Sequence, residues 1–96
     1  MRNYEIMFIV KPDLEEAAIK KEAETLKKVL TDRKCKINEE KAMGQKELAY
    51  EINKYKNGYY FLYVIETDNN EAISEFDRLA RLNENILRHL IIRVDD

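Results

Sequence analysis

Apolar residues alternate with polar ones, or form short apolar runs, over four stretches of the chain, and this pattern predicts four β-strands. The predicted strands cover residues 4–10, 35–52, 59–67 and 86–94. Gly44 lies inside the second stretch and predicts a bulge or bend there. Asn57-Gly58 is a hairpin signal, so we place the connection between the second and third strands at residues 53–58.

Two stretches between these strands carry apolar residues at helical steps of three and four. The first helix is predicted to begin with Asp13 as its N-cap, with Glu16 in a capping-box-like position, and to run to about Asp32. The second is predicted to follow Asp68-Asn-Asn70, whose side chains suit a helix start, and to end within residues 82–85.

The order strand, helix, strand, strand, helix, strand predicts an α+β fold. We expect a ferredoxin-like βαββαβ sandwich, with a four-stranded antiparallel sheet and both helices on one face. Right-handed crossovers place the first and third strands at the centre of the sheet. The whole chain, residues 1–96, is expected to form one domain.

The sheet face without helices is predicted to be apolar as well, although an antiparallel sheet open to water normally alternates apolar with polar residues. An uncovered apolar face is usually a contact surface. We therefore expect a protein partner on this face. The alternative is that loops and termini of the chain itself cover it. Tyr63 is expected to point to the core instead. The residues expected to contact the partner are Met7, Ile9, Tyr60, Leu62, Val64, Leu90 and Ile92.

Composition limits the classes of function. The formal net charge is −2, so no overall basic field draws the chain to a polyanion, and nucleic-acid binding would depend on local basic groups. The single cysteine, Cys35, excludes an internal disulfide and fits a reducing cytoplasm. No apolar run approaches the roughly 18 residues of a membrane-spanning helix, and a signal peptide is not expected.

No catalytic constellation stands out. The only histidine, His89, has no nucleophile near it in sequence, so we expect a half-buried or rim position. Glycine is too scarce for a phosphate-binding loop, and no Cys or His pair has the spacing of metal ligands. We therefore expect no enzyme activity, cofactor, metal or small-molecule substrate.

Basic and aromatic residues are mixed around the predicted hairpin, which favours RNA binding. Lysine and arginine contact phosphates, and tyrosine can stack on unpaired bases. The same residues can equally form an ordinary folded surface, and the signature of the RNA-recognition motif is missing. The RNA-binding candidates are Arg2, Tyr4, Lys46, Tyr50, Lys54, Lys56 and Arg88.

Three groups of residues, in order over about residues 1–94, carry recognisable motifs. They are Met1-Arg2-x-Tyr4-Glu5-x-Met7 with Pro12-Asp13-Leu14, Gly44-x-Lys46-x-Leu48-Ala49-Tyr50-x-Ile52 with Gly58-Tyr59-Tyr60, and Arg81-Leu82-Asn83-x-x-Ile86-x-Arg88-His89. Together they resemble the bacterial small-subunit ribosomal protein six family. Glu47 departs from the pattern, because a second basic residue often follows Lys46 there.

The resemblance implies a non-catalytic ferredoxin-like protein of the small ribosomal subunit, bound to the central domain of its RNA in the cytoplasm. It also implies a heterodimer with small-subunit ribosomal protein eighteen, a short basic protein. Arg2, Lys46 and Arg88 are the RNA-facing residues by this carry-over, Lys54 follows less directly and Lys56 by proximity. The alternatives are an interaction module that self-associates through its sheet face, and a small enzyme of the same fold.

Overall fold

The computed structural model describes residues 2–94, so Met1, Asp95 and Asp96 of the predicted domain lie outside the described residues. Six elements follow one another in the predicted order. They are β1 (Arg2–Val10), α1 (Glu16–Thr31), β2 (Lys36–Ile52), β3 (Tyr55–Thr67), α2 (Asn70–Leu82) and β4 (Ile86–Val94).

The four strands form one antiparallel sheet in the order β2-β3-β1-β4. β1 and β3 therefore occupy its centre, as right-handed crossovers require. This topology confirms the predicted ferredoxin-like βαββαβ arrangement.

The core lies between one face of the sheet and the two helices. Alternate residues of β1, from Tyr4 to Val10, are buried on this face. Phe8 stacks on Phe61 of β3 with ring centroids 5.2 Å apart, and it also contacts Phe76 of α2. The fully buried Tyr63 donates its hydroxyl hydrogen to the carbonyl oxygen of Ala23 at 3.0 Å, which joins β3 to α1. The prediction that Tyr63 faces the core is confirmed.

The predicted start of the first helix is wrong. α1 begins at Glu16, and its N-cap position is Glu15, whose side chain makes no capping hydrogen bond. Asp13 instead accepts a hydrogen bond from the Tyr55 hydroxyl at 2.8 Å. Its carboxylate is engaged by a residue 42 positions later in the chain, a contact that a local pattern does not reveal.

The predicted position of the hairpin is also wrong. β2 and β3 are joined by Asn53 and Lys54, which have φ angles of 50° and 71° and lie between the paired residues Ile52 and Tyr55. Two positive φ angles are the hallmark of a type I′ turn. Gly58 lies inside β3, where an added Cβ would come within 2.5 Å of the Ile9 side chain. That glycine is thus required by close packing, and β3 begins at Tyr55 instead of residue 59.

The predicted irregularity at Gly44 is confirmed. Its φ angle is +79°, and the register of β2 against β3 shifts between Ala42 and Gly44. A left-handed glycine at such a shift is typical of a β-bulge, which bends the strand.

Candidate functional site

The sheet face opposite the helices, which we call the open face, gathers the apolar residues predicted to contact a partner. Met7 at its centre pairs with Leu62 of β3 and Leu90 of β4. Alternation of side chains along antiparallel strands puts paired residues on the same face. By this register the open face contains Met7, Ile9, Tyr60, Leu62, Val64, Leu90 and Ile92.

One end of the open face is closed by the chain itself. Between the pairs Glu47–Asn57 and Ile52–Tyr55, β2 advances five residues while β3 advances two. The extra residues form a wide bulge that brings Leu48 to 8 % exposure. The bulge and the open face border a cavity of about 260 Å³ that is open to solvent on one side. It is lined by Met7, Ile9, Leu48, Ala49, Tyr50, Ile52, Tyr60, Arg88 and Leu90.

Leu48 and Ile52 also line this cavity, and they were not among the predicted partner-contacting residues. A signal for them exists, because Leu48, Tyr50 and Ile52 alternate on one side of the predicted second strand. The pattern does not reveal that this part of β2 curls over the sheet, since the curl depends on the bulge.

Three of the predicted RNA-binding residues lie together beside this cavity, and we call them the basic edge: Lys46, Tyr50 and Arg88. Arg88 donates a hydrogen bond to the Tyr50 hydroxyl, and its guanidinium carbon lies 5.8 Å from the centroid of the Tyr50 ring. The ammonium of Lys46 lies 5.9 Å from the centroid of the Tyr60 ring. Such cation–π contacts orient the cations without neutralising them. Tyr50 remains 58 % exposed, so its ring is accessible to a ligand.

The hairpin extends the basic edge with two exposed lysines. Lys54 is part of the turn, and Lys56 follows at the start of β3. The tip is tied to the loop after β1 by the hydrogen bond between Tyr55 and Asp13, which raises the pKa of the Tyr55 phenol. The neighbouring Glu47 is exposed as well, so the positive charge here is interrupted by a carboxylate.

The two remaining RNA-binding candidates lie elsewhere. Tyr4 is 7 % exposed and packs in the core on the helix side, so its burial does not support a base-stacking role. Arg2 begins β1 at the far end of the sheet, where it donates a hydrogen bond to the Asn70 side chain at 3.0 Å. Eight steps of β1 separate Arg2 from Val10, a span of roughly 26 Å. The predicted residues therefore do not form one patch.

The model of the family described as Ribosomal protein S6 matches residues 3–93 of the chain. The chain belongs to this family. A solved structure described as 30S ribosomal protein S6 from Thermotoga maritima is similar over 97 % of this chain and 87 % of that one, with 32 % identity and a TM-score of 0.91.

Membership of the ribosomal protein S6 family confirms the resemblance predicted from the three groups of motifs. It makes the chain a ribosomal protein of the small subunit. The proteins of this family are structural components of the ribosome. The arrangement of the four strands and two helices agrees with the ferredoxin-like fold of the solved relative.

Residues 2–94 contain no group of three or more His, Cys, Asp or Glu side chains suited to hold a metal ion. His89 is half-buried, as predicted, with Nε2 at 2.7 Å from Oδ1 of Asp77. None of the described helices has the length and apolar character needed to cross a membrane.

Proposed function

We propose that this S6-family protein binds the RNA of the small ribosomal subunit, in its central domain, through the basic edge. We further propose that it does so as a heterodimer with small-subunit ribosomal protein eighteen, which covers the open face. The observation that supports both parts is the adjacency of the basic edge to an apolar sheet face. Leu90, Ile92 and Val94 are 43 %, 46 % and 37 % exposed on that face.

The charge of the chain supports a composite RNA-binding surface. A formal net charge of −2 gives the isolated chain little long-range attraction for RNA. A short basic partner on the open face would add positive charge next to the basic edge. RNA would then bind across both proteins.

Each residue of the basic edge has a proposed role. The Lys46 ammonium contacts a backbone phosphate, as do Lys54 and Lys56 along the hairpin. Tyr50 presents its exposed ring to an unpaired base. Arg88 contacts phosphate while holding the Tyr50 hydroxyl. Arg2 is proposed as a separate RNA contact at the other end of the sheet.

The proposal is tested by titrating a central-domain RNA fragment with this chain, with ribosomal protein eighteen, and with their equimolar mixture. We expect weak binding by this chain alone and strong binding by the mixture. A mixture that binds no more tightly than either component contradicts the proposal.

The role of Lys46 is tested with the same heterodimer over a range of salt concentrations. Removing one phosphate contact lowers the slope of log affinity against log salt by about one, so Lys46→Ala is expected to show this change. Lys20→Ala is the matched control, because Lys20 is exposed on α1 beside Glu16, 3.5 Å away, and outside the basic edge. An unchanged slope for Lys46→Ala removes Lys46 from the RNA-binding residues.

A second candidate function is self-association through the open face, which the exposed Leu90 and Ile92 favour. Sedimentation of the purified chain distinguishes it from the first. A mass that rises with concentration supports self-association, and a monomer at every concentration contradicts it.

A further inference from the structure

Glu5 places a carboxylate within the apolar part of the open face. Its sheet neighbours are Val64 on β3 and Ile92 on β4, and the next residue of β1 on the same face is Met7. Glu5 is exposed, and within residues 2–94 the structure records no hydrogen bond or ion pair to its carboxylate.

The other carboxylates near that end of the open face already have partners. Glu39, which pairs with Val64 from the opposite side, lies 3.1 Å from the ammonium of Lys41. Glu66 accepts a hydrogen bond from the Asn38 amide at 3.0 Å. Glu5 thus differs from its acidic neighbours in having no recorded partner among residues 2–94 and in being flanked by Met7, Val64 and Ile92.

A protein that covers the open face must remove water from Glu5. An ionised carboxylate that loses water without gaining a counter-charge or hydrogen bonds opposes binding. A partner with a purely apolar contact surface is therefore disfavoured at this position. A partner with a cationic side chain there would convert the same carboxylate into an attractive contact.

We infer that the partner on the open face inserts an arginine or lysine side chain at Glu5, between apolar residues that pack on Met7, Leu62 and Leu90. This inference rests on the proposed heterodimer and specifies the chemistry of its interface. An arginine suits the site best, because its planar fork can donate two parallel hydrogen bonds to one carboxylate.

The distribution of charge also orients the partner segment. Lys46 and Arg88 lie at one end of the open face, next to Ile9 and Tyr60. Glu5 lies two residues before Met7 on β1, towards the other end of the open face. Like charges at the basic edge repel a cationic residue, so the partner segment runs with its basic residue at Glu5 and its neutral apolar residues towards the cavity.

The test measures binding of ribosomal protein eighteen to the full chain by calorimetry. Glu5→Gln keeps the size and removes the charge, and it is expected to weaken binding at least about tenfold. Glu39→Gln is the matched control, since it makes the same change of net charge on the same sheet face at a carboxylate that is already paired. We expect it to change the affinity by less than about twofold.

A charge reversal provides the second measurement. Glu5→Arg is expected to abolish binding of the natural partner, and one Arg→Glu or Lys→Glu variant of the partner is expected to restore it. Circular dichroism and thermal unfolding of each variant verify that it folds like the natural chain.

The outcomes separate this inference from the proposed heterodimer. If the natural chain binds the partner and Glu5→Gln binds it equally tightly, the inference about Glu5 is wrong and the heterodimer stands. If no basic-to-acidic variant of the partner rescues Glu5→Arg, the direct ion pair is wrong. If the natural chain does not bind the partner at all, the heterodimer is wrong and this inference fails with it.

Discussion

At the scale of single residues, Lys54 in the β2–β3 turn and Gly58 inside β3 differ in what the backbone demands. Lys54 occupies the second turn position with a φ angle of 71°, although a side chain disfavours that conformation. Gly58 is required for another reason, because Ile9 and the Val10 carbonyl occupy the space where its Cβ would lie. Position 54 would accept glycine more readily than its natural lysine, whereas position 58 accepts only glycine.

Lys54→Gly is expected to stabilise the fold by about 0.5–1 kcal/mol. Removing the side chain relieves the left-handed strain of about 1–2 kcal/mol, and the greater freedom of glycine in the unfolded chain offsets part of this gain. Lys56→Gly is the matched control, since it removes the same side chain from β3 and should cost about 0.5–1 kcal/mol. Urea unfolding measures both, and equal effects of the two substitutions contradict the assignment of strain to Lys54.

Gly58→Ala is expected to destabilise the fold by about 1–3 kcal/mol, because its new methyl group would lie 2.5 Å from Cγ2 of Ile9. The same substitution is then made in an Ile9→Ala background, which removes that carbon. We expect its added cost to fall by at least half there, as a double-mutant cycle by chemical denaturation would measure. An undiminished cost would show that Ile9 is not the obstacle.

At the scale of elements, periodicity predicted all six segments and their order. Both helices and the central strands β1 and β3 bury one face of their own sequence. The end of α2 and the limits of β4 also agree with local signals. The start of α1 and the hairpin turn did not follow from local signals. Asp13 is engaged by Tyr55, and Gly58 is required by Ile9, so both depend on residues brought close only by the fold.

The candidate site was likewise predictable where it depends on local sequence and not where it depends on contacts made by the fold. Alternation along the strands predicted which residues share the open face, and the register brought them together as expected. Tyr4 lies on the same side of β1 as Ile6, Phe8 and Val10, and the helices cover that side. The contact between Arg88 and Tyr50 joins β4 to the bulge of β2 and has no signature in either segment alone.

α2 and β4 are linked by a hydrogen bond between Asp77 and His89, and the carboxylate of Asp77 makes stability depend on pH. The hydrogen bond with His89 and the charge of Arg81 hold the pKa of Asp77 below its ordinary value of 3.8. A carboxyl whose pKa is lowered by folding stabilises the fold above its unfolded pKa, and this stabilisation is lost as pH falls through the folded pKa. Asp77 therefore contributes at neutral pH and ceases to contribute in strong acid.

Asp77→Asn should lower stability at neutral pH, and the difference from the natural chain should shrink as pH falls below 3.8, the ordinary carboxyl value. Urea unfolding at a series of pH values measures this difference. Asp32→Asn is the control, because Asp32 is exposed at the end of α1, away from His89. A difference between Asp77→Asn and the natural chain that stays constant with pH contradicts the role assigned to the ionised carboxylate.

At the scale of the whole molecule, the two faces of the sheet differ: one forms the core with the helices and the other is the open face. On the helix side, the sheet buries its apolar residues within the chain. On the open face, Leu90, Ile92 and Val94 remain exposed along β4. The proposed heterodimer requires this face to favour its partner over a second copy of itself. Glu5 provides a physical basis for that discrimination, since the proposed partner supplies a cation, whereas a second copy aligned with Glu5 against Glu5 supplies another carboxylate.

Glu5→Leu is expected to convert the isolated chain from a monomer into a self-associating protein. In a two-fold symmetric dimer whose axis passes close to Glu5, both copies of Glu5 lose water and face each other without gaining a cation, which opposes association. Leucine removes that cost and joins the apolar areas around Val64 and Ile92. Sedimentation equilibrium over a wide concentration range measures the change, with Glu39→Leu as the control at a paired carboxylate. Equal association of the natural chain and Glu5→Leu would show that this carboxylate does not prevent self-pairing.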